Sequence, residues 1–167
     1  MSERVVIVGA GLTGALLATM LGQRGYDVSV YERRVDPRQT GAERGRSINL
    51  AISTRGLTAL QQVGLEQEVL ERALLMTGRM IHDAEGAQEF QPYSADGDRG
   101  INSISRGELN AVLLDAAERL PSVSLHFDHR LTSLDIDAHT RSPSPGRTGR
   151  WTSPPTRSSG PTVPSAS

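Results

Sequence analysis

Gly9, Gly11 and Gly14 close an apolar run, VVIVGAGLTG from Val5 to Gly14, and that spacing suits the binding of a phosphate group. Gly9 permits a tight turn out of a strand, Gly11 leaves room for the backbone to approach an anion, and Gly14 lets a helix and a strand pack closely. Free N–H groups at the helix start, reinforced by the helix dipole, would receive the pyrophosphate of a dinucleotide. Glu32 follows Gly14 by 18 residues, a position from which a carboxylate can accept from both hydroxyls of an adenosine ribose. Three glycines and one acid specify a dinucleotide, and they do not separate FAD from NAD.

The pattern around these residues supplies the elements to hold them. Val5–Val8 suits a buried parallel strand. From Ala15 the run ALLATMLGQRG is helical, with Leu16, Leu17, Met20 and Leu21 on one face and Gly25 as a C-cap. Asp27–Tyr31 is the second strand, and Arg34 to Arg46 is a charged loop containing Pro37 and Gly41. The apolar piece Ser47–Ile52 leads to Ser53, an N-cap for a helix through Val63 that Gly64 ends. A short helix over Leu65–Ala73 precedes a hairpin, with one strand over Gly78–Asp83, a turn at Glu85-Gly86 and a second strand ending before Pro92. Ile101–Ser105 is extended. Ser105 and Glu108 form a capping box for a helix over Arg106–Leu120, with Leu109, Val112, Leu113 and Ala116 on one face. Val123–Phe127 is expected to be the third strand of the dinucleotide unit, with Leu131–Ile136 extending or pairing with it.

Composition narrows the function classes. The chain has 167 residues, enough for one domain with a core, which aliphatic residues must build because aromatics make up only 4%. A net charge of −1 gives no case for a nucleic-acid partner. Cysteine is absent, which excludes disulfides, thiolate metal sites and a cysteine nucleophile. Lysine is absent too, so Schiff-base and P-loop chemistry are excluded. No secretory signal is visible and nothing approaches the ~18 apolar residues of a membrane span, so a cytoplasmic protein is expected. His82, His126 and His129 have no visible acid–base partner or ligand set and are assigned to packing or surface.

Residues 1–138 read as a folded α/β unit, and residues 139–167 as a tail of different character. Arg141–Ser167 holds seven Ser, six Pro, four Thr, four Arg and three Gly, with no acid. Such a segment cannot bury enough surface to offset its ordering entropy and is expected to be disordered. It reads either as a genuine Pro/Ser tail or as out-of-frame translation of GC-rich DNA, the second being favoured by the abruptness of the change.

Four blocks carry a more specific signal: VVIVGAGLTGALLA…GYDVSVYERR, GRSINLAISTRGLTALQQVGL, MTGRMIHD and PYSADGDRGINSISRGELNAVLLDAAE. From about Val5 to Ile136 the chain resembles the kynurenine 3-monooxygenase family of FAD-dependent aromatic hydroxylases, over their N-terminal part only. The resemblance implies a Rossmann-like FAD-binding fold with a small β insertion. It implies FAD as cofactor, NADPH as co-substrate, and hydroxylation of L-kynurenine to 3-hydroxykynurenine with O2 through a flavin C4a-hydroperoxide. That activity belongs to tryptophan degradation and NAD biosynthesis. No catalytic side chain and no metal ligand are implied, because the cofactor carries the chemistry and the protein positions it.

By position, the resemblance makes Glu32 the ribose-binding acid and sets Gly9, Ala10, Gly11 and Gly14 at the pyrophosphate. It places Arg33 or Arg34 near the adenosine and has Arg106 contact FAD. Arg106 at a helix start is mildly unfavourable against the dipole, which independently suggests that it meets an anion. Arg79 and Tyr93 correspond to the pair that holds the substrate carboxylate, and an arginine fork beside a phenol hydroxyl suits that group. The bland alternatives are a surface Arg79 paired with Asp83 or Glu85, and Tyr93 as a loop anchor.

The family's second flavin-binding block, with its Gly-Ala-Asp-Gly run and later Gly-Asp sequence, does not occur between Ile136 and Ser167. The chain is therefore expected to be a truncated or frame-shifted form, inactive alone, whose first strand exposes an unpaired edge. Other readings left open are a flavin- or nucleotide-binding module without hydroxylase activity, an NAD-dependent dehydrogenase, and a related hydroxylase acting on another aromatic acid.

Overall fold

A computed structural model describes residues 3–39, 48–94, 100–134 and, as backbone, 149–152. The dinucleotide unit comes first: β1 (Arg4–Val8), α1 (Leu12–Gln23) and β2 (Asp27–Tyr31). β1 and β2 run parallel with Val5 opposite Val28 and Ile7 opposite Val30. The expected third strand, β8 (Val123–His126), pairs parallel on the far side of β2, so the order is β1-β2-β8.

Of the leucine face expected for α1, Leu16, Met20 and Leu21 pack partly buried against the core, but the fully buried positions are smaller residues. Ala15, Ala18, Thr19 and Gly22 are buried, whereas Leu17 is 42% exposed. The cause is close packing. A Cβ at Gly22 would lie 2.5 Å from Val123 Cγ2 and 2.9 Å from Leu120 Cδ1, so the helix approaches its neighbours on its smallest side chains. The helix also starts at Leu12 rather than Ala15, placing Gly14 in its first turn. Gly25, at φ +84°, ends it as expected.

A second layer follows: β3 (Asn49–Ile52), α2 (Thr54–Gln62), α3 (Glu66–Arg72) and β4 (Leu74–Met76), the last not anticipated from sequence. The hairpin strands are β5 (Gly78–His82) and β6 (Gln88–Pro92), followed by β7 (Ile101–Ser105) and α4 (Arg106–Glu118). β7 lies between β3 and β4 in an antiparallel sheet, and β5–β6 form a sheet of their own. Ser53 caps α2 by accepting from Gly56 N–H at 3.3 Å, and Ser105 caps α4 by accepting from Glu108 N–H at 3.5 Å. On α4, Leu114 and Ala117 are buried along with the expected Val112, Leu113 and Ala116, because the helix packs between α1 and β7.

β9 (Arg130–Leu134) pairs antiparallel with β10 (Gly149–Thr152). Apart from β10, the expected tail over 139–167 lies outside the described residues, as do Arg46 and Gly41 of the expected loop. Among the described residues no helix is long and apolar enough to cross a membrane. β1 is the end strand of its sheet, and its Val6 and Val8 side chains are 47% and 59% exposed, matching the expected bare edge.

Candidate functional site

The glycine turn joins β1 to α1 at the carboxyl end of the parallel sheet. Gly9 adopts φ +102°, a conformation that side chains disfavour, and its N–H donates to Tyr31 O at 2.8 Å. A Cβ at Gly14 would collide with the carbonyl oxygen of Gly9 and lie 3.4 Å from Ile7 Cγ2, which accounts for the third glycine. Gly11 is different. Its φ is an ordinary −75°, and a Cβ there would meet no atom within 4 Å. No protein contact demands this glycine, and the space in front of it is open.

Gly11 is also the N-cap of α1, with no side chain accepting from the first turn and no acid in that turn. At this end a helical hydrogen bond runs from Ala15 N–H to Gly11 O at 2.9 Å. The helix therefore presents donors and the positive end of its dipole to the open side. A cleft of about 460 Å³ lies there, lined by Gly9, Gly11, Gly14, Ile48, Leu50 and Arg106 among others. Arg106 comes from the start of α4, and its N–H donates to Ile48 O at 2.9 Å. Four of the residues expected from sequence thus meet in one cleft: three glycines and an arginine more than ninety positions away. Ile48 and Leu50 were missed as cleft residues. They lie in the GRSINLAIS block, which the sequence marks as an extended piece and as part of the family resemblance but not as cleft lining.

Glu32 follows β2 and is 7% exposed. Its Oε2 accepts from Ala10 N–H at 3.0 Å, while Oε1 accepts from Arg34 N–H at 3.0 Å and Arg34 Nε at 3.1 Å. Burial alone would raise this carboxyl. The hydrogen bonds from Ala10 and Arg34 together outweigh it and hold Glu32 below the usual carboxylate range. The acid is ionised, oriented and tied to the glycine turn. Arg33 and Arg34 are exposed beside it and do not line the cleft.

Tyr31, His126 and His129 cluster next to Glu32. Tyr31 and His126 stack with ring centroids 4.6 Å apart, and His129 Nδ1 lies 2.6 Å from Phe127 O. Burial, helped by the charge of His129, lowers the His126 pKa. These contacts agree with the packing assignment of the two histidines.

Arg79 and Tyr93 lie on the β5–β6 hairpin, away from this cleft. Arg79 opposes Gln91, and Tyr93 N–H donates to Thr77 O at 2.9 Å, which puts Arg79 and Tyr93 on one face as diagonal neighbours. Arg79 Nε donates to Gln91 Oε1 at 2.7 Å, across the hairpin, rather than to Asp83 or Glu85. Both side chains are exposed, Tyr93 by 42%.

The FAD binding domain family matches residues 2–148. This chain belongs to that family. It is 52% identical over 134 residues to a kynurenine 3-monooxygenase of Myxococcus xanthus (strain DK1622), covering 80% of this chain and 29% of the relative. The kynurenine 3-monooxygenase of Anopheles gambiae is 49% identical over 133 residues, covering 80% and 27%. The chain thus spans under a third of the length of the curated relatives it matches. Among solved structures, p-nitrophenol 4-monooxygenase PnpA from Pseudomonas putida DLL-E4 superposes with TM-score 0.65 at 22% identity, covering 81% of this chain and 34% of that one. The tetrameric form of 2-methyl-3-hydroxypyridine-5-carboxylic acid oxygenase gives 0.64 at 19% identity, covering 80% and 33%. These likenesses establish the fold: an α/β, Rossmann-like FAD-binding unit with a small β insertion, corresponding to about a third of those chains.

Proposed function

We propose that this chain forms the FAD-holding part, residues 1–138, of a kynurenine 3-monooxygenase, a flavoprotein that hydroxylates L-kynurenine to 3-hydroxykynurenine with NADPH and O2. One observation carries the reading. A chain 52% identical over 134 residues to the M. xanthus kynurenine 3-monooxygenase brings Gly9, Gly11, Gly14 and Arg106 together in one cleft. The open space in front of Gly11, at the start of α1, suits a phosphate group.

In this reading the N–H groups at the start of α1 hold the FAD pyrophosphate and Glu32 accepts from the adenosine ribose. Arg106 adds positive charge at the cleft, and Arg33 and Arg34 flank the adenosine side. Bound flavin supplies the redox and oxygen-transfer chemistry, and the side chains bind and orient. Arg79 and Tyr93 take the kynurenine carboxylate, with Arg79 exchanging Gln91 for it. The proposed setting is the cytoplasm.

Titrating the purified chain with FAD, followed by flavin fluorescence and absorbance, tests the cofactor assignment. Saturable binding is expected, weakened in Glu32→Ala by about 1–3 kcal/mol through lost charge-assisted hydrogen bonds. Equal affinity in that variant removes Glu32 from the ribose. No saturable binding by the unaltered chain removes the cofactor role from this segment by itself. For the substrate pair, Arg79→Ala in a hydroxylase containing this chain should raise the kynurenine KM with FAD still bound; an unchanged KM excludes Arg79.

A further inference from the structure

The loop after β2 carries a second charged group that the cofactor reading does not use. Asp36 opens a turn: its Oδ1 accepts from Arg38 N–H at 3.0 Å and its carbonyl accepts from Gln39 N–H at 3.1 Å, with Pro37 between them. The turn folds the Arg38 side chain back onto Asp36, with Nε 3.0 Å from Oδ1 and Nη2 2.7 Å from Oδ2. The other end of the guanidinium reaches α4, where Nη1 donates to Asp115 Oδ1 and Glu118 Oε2, each at 2.8 Å. Its carbon also stands 5.9 Å from the centre of the Phe127 ring, just past β8. One arginine, with 17% of its side chain exposed, therefore joins three separate parts of the chain.

Every nitrogen of this guanidinium is committed to a carboxylate, so Arg38 is not a ligand-binding group. What it holds is informative. Four residues after Glu32 comes buried Asp36, and nine residues before Asp115 comes Arg106 at the cleft, about 14 Å along the helix. Among the described residues, the hydrogen bonds from the loop beyond Arg34 to other elements are those of Arg38. Arg38 is thus the shared cation of three carboxylates: buried Asp36, part-buried Asp115 and exposed Glu118.

We propose that Arg38 is a positioning residue for the nucleotide site: by clamping Asp36 to Asp115 and Glu118, it fixes the Glu32–Arg34 segment relative to α4 and its Arg106. The proposal rests on the cofactor reading above for its functional consequence, and on the loop geometry for its structural one. The clamp acts on the adenosine end, so it should affect any ligand that carries adenosine diphosphate, with or without a flavin.

The test compares the unaltered chain with Arg38→Lys, which keeps the charge and loses the fork, and with Asp36→Asn/Arg38→Gln, which removes both buried charges together. FAD and ADP are titrated separately, with thermal melting and amide hydrogen exchange over residues 32–39. FAD and ADP should both weaken about tenfold in Arg38→Lys. The double variant should weaken at least as much while melting within a few degrees of the unaltered chain, and exchange should speed up in 32–39 and not in Gly9–Gly14. Affinity that falls only in step with the folded fraction would make Arg38 a stability residue and overturn the proposal. So would unchanged exchange at 32–39 in a folded variant. If the unaltered chain binds neither FAD nor ADP, the cofactor reading fails for this segment, and the exchange comparison decides the clamp alone.

Discussion

The backbone N–H of Ala10 donates to Oε2 of Glu32 at 3.0 Å, joining the glycine turn to the end of β2. A carboxylate offers about four acceptor positions, and Glu32 already uses three, one on Ala10 and two on Arg34. A ribose that donates both hydroxyls must therefore displace the Arg34 side chain. Arg34→Met should accordingly leave FAD affinity within about threefold of the unaltered chain, because the Arg34 side chain is half exposed and the ribose hydroxyls take over its place on Glu32. Titration by flavin fluorescence checks this; a loss beyond tenfold would mean that the Arg34 guanidinium itself contacts the cofactor.

Glu32→Gln separates charge from shape. The amide keeps one acceptor but presents an NH2 group toward either Ala10 N–H or the Arg34 donors, leaving a buried donor opposed to a donor. A stability loss of about 1–3 kcal/mol is expected from that conflict, measured by denaturant unfolding of the ligand-free chain. A melting curve identical to the unaltered chain would show that the Ala10 tie is not needed to set the turn.

The two glycines of the turn should fail in opposite ways. Gly14→Ala forces a methyl against the Gly9 carbonyl, so the ligand-free fold should be destabilised by about 1–3 kcal/mol, as for other overpacked sites. Gly11→Ser places its side chain in open space and supplies an N-cap that α1 lacks, so the ligand-free chain should melt at or above the unaltered temperature. That same side chain occupies the proposed phosphate position, and FAD affinity should fall. Thermal melting with and without FAD reads both effects; unimpaired FAD binding by Gly11→Ser would move the pyrophosphate elsewhere.

This contrast also shows what a sequence can and cannot disclose here. The glycine spacing, Glu32 and the strand and helix periods were legible because they are local constraints of backbone geometry. The small-residue face of α1 was not, since it is selected by Val123 and Leu120, a hundred residues away. Ile48 and Leu50 reach the cleft only because β3 pairs with β7 and so sits next to Arg106. The sequence shows Arg38 only as part of a charged loop, because its helix partners lie 77 and 80 positions downstream. Arg79 and Tyr93 share a face only through the register of β5 with β6, which no local pattern in the sequence displays.

Acid should weaken the fold in two stages. Glu32 and Asp36 both titrate lower folded than unfolded, so their contribution is complete above their unfolded values, about 4, and is lost as pH falls through the lowered folded ones. His126 is also lowered, so the fold disfavours its charged form: stability begins to drop earlier, as pH falls below about 6.5, and levels off once the folded histidine is protonated too. Denaturant unfolding between pH 7 and 3 should show a shallow decline followed by a steeper one below about pH 4. In His126→Phe, which keeps a ring to stack on Tyr31, the shallow stage should vanish; its persistence would assign that stage to another group.

The edge of β1 bears on how the chain behaves in solution. Val6 and Val8 project from the sheet face opposite buried Ile7, and in the described sheet β1 has a neighbour only on the β2 side. A parallel edge with two exposed valines is a template for pairing with another chain. Val8 also lines the cleft, whereas Val6 does not, so Val6 is the residue to alter. Val6→Lys places a charge on that face without touching the backbone hydrogen bonds to β2, and it should raise the monomer fraction several-fold in size-exclusion chromatography. FAD affinity should be retained, because the substitution leaves the glycine turn, Glu32 and Arg106 in place. Unchanged association would shift responsibility to other exposed apolar side chains, such as Met80 and Phe90 on the β5–β6 hairpin, 51% and 53% exposed.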